Sequence, residues 1–235
     1  LYTLPQGGDS PLTLEDFVKG YFLPGGSYYN SGNNFTKDAP GSKKLYCNAG
    51  FALAGYLIEK ISGMAFSDYM KTAVFGPLGM NNSSWYLRDL PDSNMACPHK
   101  ADFTVMNHYG YPAVADGQLR TNVTDYAQII KLMMNEGKAG DSVFLLKATV
   151  DTFLAVQFPA VNKWQAIAWN YNEFDNWLYY LLMPRLASHT GVDPGVNTVT
   201  SFDLKTKTGV ILFSNSLTAN LKAQRIFYQA MVKRL

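Results

Sequence analysis

Several things are scarce in these 235 residues, and each scarcity removes a class of function. Charge is thin: 16% of residues are charged, and 20 basic side chains against 18 acidic leave a formal net charge of +2 with no basic run. Polyanion partners demand a concentrated positive patch, so nucleic acid and anionic membrane surfaces are set aside. Long apolar runs are missing too. Stretches such as Trp177 to Met183 fall far short of the ~20 residues of a membrane helix, so no membrane span is expected. The three histidines do not cluster, no H-E-x-x-H helix occurs, and His99 and His108 read as loop surface, so neither metal nor cofactor is expected. A G-x-S-x-G elbow is also lacking.

Cysteine is the last scarcity. Two residues, Cys47 and Cys97, allow at most one internal bridge and leave the redox compartment open. Cys47 is read as a small, buried free thiol.

What is present describes a globular chain, with 47% hydrophobic residues and length for one large domain or two interleaved lobes. Four asparagines, Asn34, Asn81, Asn82 and Asn122, stand in N-x-[ST] triplets and are candidate glycosylation sites. They point to a secreted, periplasmic or other secretory-pathway location. The chain opens at "LYTLPQGG" with no Met and no targeting pattern, as a processed or truncated N-terminus would.

Hydrophobic spacing sets out the elements. Thr13 followed three residues later by Asp16 is a capping-box start to a short helix. The stretch "LPGGSYYNSGNNFTKDAPGS" is a long surface loop, and loops of that length are often functional. From Gly50, the residues Phe51, Leu53, Ala54, Leu57, Ile58 and Ile61 repeat at helical spacing and Gly63 sits where a C-terminal cap belongs, which predicts a buried helix. A second helix is predicted over about Phe66 to Phe75, stopping at "GPLGM". A third runs from near Asn122 with Tyr126, Ile129, Ile130 and Met133 on one face, and a shorter one lies near Lys147 to Gln157. "NTVTSFDL", "KTKT" and "GVILFSN" read as an antiparallel hairpin, and "NLKAQRIFYQAMVKRL" as a closing helix.

The segment "PGSKKLYCNAGFALAGYLIEKISGMAFSDYMKTAVFGPLGMNNSSW" resembles the serine β-lactamase and penicillin-binding-protein superfamily. Its similarity is to the branch of class C β-lactamases, D-aminopeptidases and related esterases. Pro40-Gly41, Tyr46-Cys47-Asn48, Gly50 and Pro77-Leu78-Gly79-Met80 match that branch in order. "YPAVADGQLRTNVTDYAQIIKLMMNEG" resembles the family's glycine-rich segment entering a helix, with Gln118 where a small residue is usual. His189-Thr190-Gly191 resembles the third family motif, and the likeness spans about Leu12 to the end.

The resemblance implies an α/β architecture, an antiparallel sheet flanked by helices with a helical lobe. Residues of about 12–160 would form mainly the helical lobe and loops, and about 161–235 the sheet strands and closing helix. It also implies roles. Tyr46 would be the general base or proton relay, and Asn48 would hydrogen-bond the substrate. His189 would face the site from an edge strand, with Thr190 and Gly191 beside it and the backbone N–H of Val192 as an oxyanion donor. Taken without the family, Asn48 could instead cap its helix, and His189 could satisfy only local hydrogen bonds.

The superfamily's nucleophile lies in Ser-x-x-Lys, and neither that pattern nor Thr-x-x-Lys occurs here. In the family the motif lies farther upstream of Tyr-x-Asn than the 45 residues that precede Tyr46. The expectation is that N-terminal strands and the nucleophile helix belong to an N-terminal portion or companion fragment that completes the fold. Lys207-Thr208-Gly209 spells a known third motif but falls at the hairpin turn. Gly8-Asp9-Ser10, Gly140-Asp141-Ser142 and Cys97-Pro98-His99-Lys100 are lookalikes in the wrong context.

Two functions remain. The first is a serine hydrolase forming an acyl-enzyme on an ester, a small peptide or amide, or a β-lactam. Histidine in the third motif tilts it toward esterase or peptidase. The second is a catalytically inactive structural or interaction protein, motivated by the absent nucleophile, by Gln118 and by aromatic residues such as Trp164, Trp169, Tyr179 and Tyr180. Core packing is the plainer reading of most of those aromatics.

Overall fold

The computed structural model describes residues 7–171 and 185–216. The closing helix, Tyr179 and Tyr180 lie outside the described residues. The chain divides into two units, one of Leu1–Cys97 with Asn107–Asn122 and one of Pro98–Met106 with Val123–Leu235.

In the first unit, α1 (Leu14–Phe22) starts on a reciprocal capping box: the Thr13 hydroxyl accepts from the Asp16 N–H and the Asp16 carboxylate accepts from the Thr13 N–H. Its buried side chains are Leu14, Phe17 and Val18. On its exposed side Glu15 takes both Lys19 and Lys60, and those two ammonium groups hold its carboxyl down at about 2.

Helix α2 spans Asn48–Ser62 and ends on Gly63 in the left-handed region, at φ 69°. It begins two residues before Gly50, and the expectation of a buried helix is corrected. Only Ala49, Ala52 and Gly55 are buried along it, and at Gly55 the Ala115 side chain comes too near to admit anything larger. A Cβ at Gly55 would lie 2.4 Å from the Ala115 Cβ. Leu53 and Ile58 are half-buried, and Phe51, Leu57 and Ile61 are exposed. Helix α3 (Phe66–Met70) widens into a π turn over Lys71–Phe75 and closes with α4 (Gly76–Leu78), three residues beyond the predicted stop. Gly79 caps it at φ 69°.

A buried polar clamp organises the long connection that follows. Gln118, 5% exposed, accepts the Tyr111 N–H at 2.6 Å and donates to the Trp85 carbonyl at 3.1 Å. Arg120 donates to the carbonyls of Trp85 and Tyr109. A small residue at 118 would orphan those backbone groups, so glutamine here is structural.

The second unit holds α5 (Val123–Met134), a short hairpin of β1 (Lys138–Ala139) and β2 (Ser142–Val143), α6 (Lys147–Leu154) and a three-stranded antiparallel sheet. Its strands are β3 (Ala187–Asp193), β4 (Val196–Asp203) and β5 (Thr208–Ser214), in the order β3-β4-β5. The predicted hairpin is β4 and β5. The preceding strand β3 joins β4 through only Pro194 and Gly195. Helices α5 and α6 fall in the same unit as these strands. Ile130, Met133, Val150, Trp169 and Phe202 form the core, with the Trp169 ring edge-on to Phe202 at 4.9 Å. Lys207, in the turn before β5, donates to the Met134 carbonyl at the end of α5, where a cation is favoured.

Two outcomes follow from this packing. Gly55→Ala should destabilise by about 1–3 kcal/mol in chemical denaturation because the added methyl overpacks a closed contact. Gly50→Ala on the same helix meets nothing closer than 3.7 Å and should be neutral or gain up to about 1 kcal/mol. Burial also pushes the Tyr126 phenol up to about 12. A raised tyrosine pKa gives stability that is intact below the unfolded value of ~10 and lost as pH rises toward 12. Urea midpoints across pH 9 to 12 should therefore fall more steeply for the native chain than for Tyr126→Phe.

Candidate active site

The predicted site residues fall in both units, and each group has its own geometry. In the first unit Tyr46 immediately precedes the N-terminus of α2 and is 80% exposed. Asn48 is the first helical residue, so it is not the cap. Cys47 is, with its sulfur accepting the Gly50 N–H at 3.3 Å. The reading of Cys47 as buried is corrected: both cysteines are exposed free thiols. A thiol cap pins the backbone between Tyr46 and Asn48, so that the two site residues leave the chain at the start of a 15-residue helix. The helix N-terminus adds its positive end to that neighbourhood.

In the second unit His189, Thr190, Gly191 and Val192 all lie on β3, which is the edge of the described three-stranded sheet. The two-residue turn sets which way each group points. Asp193 and Val196 flank it as a pair, and the flanking pair of such a hairpin exchanges both backbone hydrogen bonds. Asp193, Gly191 and His189 then direct N–H and C=O toward β4, while Val192, Thr190 and Ser188 direct theirs to the outer edge. Ser188 shows the alternation directly, since it exchanges both bonds with Asn170 on that side, at 2.9 and 3.0 Å. The Val192 N–H therefore sits on the outward edge of an exposed residue, the disposition an oxyanion donor requires.

Side chains alternate as well. His189 shares a face with Ala187 and Gly191, is exposed, and meets the Trp169 ring edge-on at 6.4 Å. The Thr190 side chain lies on the opposite face from His189. Gly191 has a reason of its own within the sheet: a Cβ there would be 2.6 Å from the Oγ1 of its cross-strand partner Thr198.

The remaining sites sort by their contacts. The Asn34 side-chain amide donates to the carbonyls of Tyr21 and Tyr28, both at 2.8 Å. These two bonds brace the loop. Asn81 and Asn82 are exposed and Asn122 is half-buried. Asp9, in one lookalike triplet, accepts the N–H groups of Leu87 and Arg88. His99 places Nδ1 3.1 Å from the Asn215 carbonyl, and His108 places Nε2 4.0 Å from the Cys97 sulfur. Among the described residues no group of three or more His, Cys, Asp or Glu could hold a metal ion. Sequence reasoning missed the Asp193-Pro-Gly-Val196 turn, although Pro-Gly is a turn signal. It also missed Trp169 and Thr198 as the neighbours that hold His189 and Gly191.

Comparison with known proteins adds four findings. A family model described as Beta-lactamase matches residues 25–232. Penicillin-binding protein 4* of Bacillus subtilis (strain 168) is 37% identical over 84 residues, which cover 36% of this chain and 16% of that protein. An octameric penicillin-binding protein homologue from Pyrococcus abyssi superposes with a TM-score of 0.63 at 22% identity, covering 90% of this chain and 50% of that one. A β-lactamase/D-alanine carboxypeptidase from Pseudomonas syringae gives 0.62 at 17% identity, covering 90% and 64%. The chain spans less than two thirds of each of these proteins.

The Gly191–Thr198 contact makes a specific prediction. Gly191→Ala should cost about 1–3 kcal/mol, and Thr198→Ala should relieve part of that cost in a double-mutant cycle read by urea denaturation.

Proposed function

Because the chain belongs to the β-lactamase family, we propose that it forms the Tyr-x-Asn and edge-strand portion of a serine hydrolase acting through an acyl-enzyme. The observation that carries this reading is the outward Val192 N–H on β3, beside a His-x-Gly stretch and in the family's order after Tyr46-x-Asn48. The nucleophile is a serine in a Ser-x-x-Lys segment outside these residues, supplied by an N-terminal portion or companion fragment.

The chemistry assigns each group one task. The serine Oγ bonds to the acyl carbon while its proton passes through the lysine and Tyr46 relay. The carbonyl oxygen gains negative charge and is held by the Val192 N–H. The relay then returns a proton to the departing alcohol or amine, and water repeats the sequence on the acyl-enzyme. A phenol serves as a base near neutral pH only beside a positive charge, which the Ser-x-x-Lys lysine provides. Asn48 hydrogen-bonds the substrate's polar group. An imidazole at His189 would hold a β-lactam carboxylate less strongly than a lysine ammonium. This favours an ester or small peptide over a β-lactam as substrate. The chain's exposed sequons Asn81 and Asn82 support passage through a secretory compartment. No helix among the described residues is long and apolar enough to cross a membrane.

The other reading, a catalytically inactive interaction protein, keeps the absent nucleophile as its support. It loses Gln118, which the fold uses as a clamp. In the intact gene product, a serine-reactive phosphonate should label one serine within Ser-x-x-Lys. Tyr46→Phe should lower kcat/KM for an activated ester by about 10²–10⁴-fold with unchanged unfolding midpoint. No labelling of folded, intact protein would establish the inactive reading instead.

A further inference from the structure

The segment Pro98–Met106 groups with the second unit, although the residues on either side of it in sequence belong to the first. It folds back on itself as a small hairpin. The Met106 N–H donates to the Pro98 carbonyl at 2.8 Å and the Lys100 N–H to the Thr104 carbonyl at 2.9 Å. The bend is tight enough to put Phe103 at φ 66°, a region that a bulky residue occupies only where its surroundings hold it there. The open end of this hairpin, where Pro98 and Met106 meet, sits on Gly195. A Cβ on that glycine would lie 2.6 Å from the Pro98 Cβ and 3.1 Å from the Met106 sulfur.

His99 ties this hairpin to the sheet at two points. Its backbone N–H donates to the Gly195 carbonyl in the β3–β4 turn at 3.4 Å, which is long for such a bond. Its side chain reaches the residue that follows β5, with Nδ1 3.1 Å from the Asn215 carbonyl oxygen. The Asn215 amide nitrogen is 3.4 Å from the same ring atom; the nearer carbonyl can only accept, which places the ring proton on Nδ1. Asn197 pairs with Ser214, so Gly195 and Asn215 lie at the same end of the sheet. The hold of the His99 N–H on the turn therefore depends on where the rest of the residue is anchored, by its imidazole on Asn215 and by its parallel bridge to Ser216. We propose that His99 is a positioning residue: it seats the Pro194-Gly195 turn and, through the Asp193–Val196 pair, the Val192 N–H. The role of that N–H rests on the serine hydrolase reading, whereas the tie to the turn rests on the contacts of His99. A donor moved by about 1 Å loses much of its grip on a developing oxyanion, so a side chain that touches no substrate can still set the rate.

The test uses the intact gene product and three substitutions. His99→Asn puts an amide nitrogen where Nδ1 stands, His99→Gln carries the same group one carbon farther, and His99→Ala carries none. Hydrogen–deuterium exchange reads the turn, and hydrolysis of an activated ester reads the donor. In His99→Ala and His99→Gln the peptide covering residues 193–196 should exchange about 10-fold faster or more, with kcat lowered about 10–10²-fold and KM within about twofold of native. His99→Asn should keep both near their native values. A residue that lent stability alone would lower the Tm and leave the kcat of the folded protein in place. Unchanged exchange at 193–196 in both variants overturns the tie, and faster exchange with native kcat overturns the link from the turn to the donor. If His99→Ala does not fold, His99→Gln against His99→Asn gives the same comparison. A native protein that neither hydrolyses the ester nor takes the phosphonate refutes the hydrolase reading, and exchange then decides the tie by itself.

Discussion

A two-residue turn governs the chemistry-bearing strand. Pro194 fixes its own φ through its ring, and Gly195 adopts φ 76° in a space where a Cβ would come within 2.6 Å of Pro98 and 2.9 Å of the His99 nitrogen. No other residue type fits that corner. Because the turn cannot lengthen or shift, Asp193 pairs with Val196 and the whole register of β3 on β4 follows. A slip of one residue would turn the Val192 N–H inward and send His189 to the face opposite Trp169. The conformational limits of one proline and one glycine thus decide which backbone groups of β3 lie on its outer edge.

The first unit obeys a similar rule by packing instead of by dihedral angle. Helix α2 approaches the Ala115 side chain so closely that Gly55 admits no side chain of its own. The Cys47 sulfur then ends the helix by accepting the Gly50 N–H, which fixes where Tyr46 and Asn48 emerge. Gln118 and Arg120 hold the opposing segment through main-chain carbonyls. A sequence comparison sees Gln118 as an irregularity in a glycine-rich motif, and the hydrogen bonds show why the larger side chain is retained. Each group of candidate residues is therefore positioned by local devices within its own unit.

Much of this was legible beforehand for local reasons. The Thr13–Asp16 capping box, the Gly63 cap and the β4–β5 hairpin each depend on residues close in sequence, and each appears where its signal stands. The burial of α2 was not legible. Periodicity locates an apolar face but cannot say whether it is covered, and on this helix the small residues took the buried side. Cys47 was misread for the same reason: a thiol's average burial says nothing about a residue that serves as a helix cap. The two carbonyls that the Asn34 amide reaches, thirteen and six residues away, left no local signal. The edge-strand place of His189 came from the resemblance rather than from periodicity, and the register of that strand on β4 is set by the Asp193-Pro-Gly turn.

The most direct measurement is a crystal structure of the intact protein after reaction with a serine-reactive phosphonate. The phosphonyl oxygen should accept from the Val192 N–H at about 2.7–3.1 Å, with the Tyr46 hydroxyl beside the modified serine. A phosphonate attached elsewhere, or one whose oxygen is held by other donors while Val192 faces solvent, would contradict the assignment of β3 as the strand that stabilises the oxyanion.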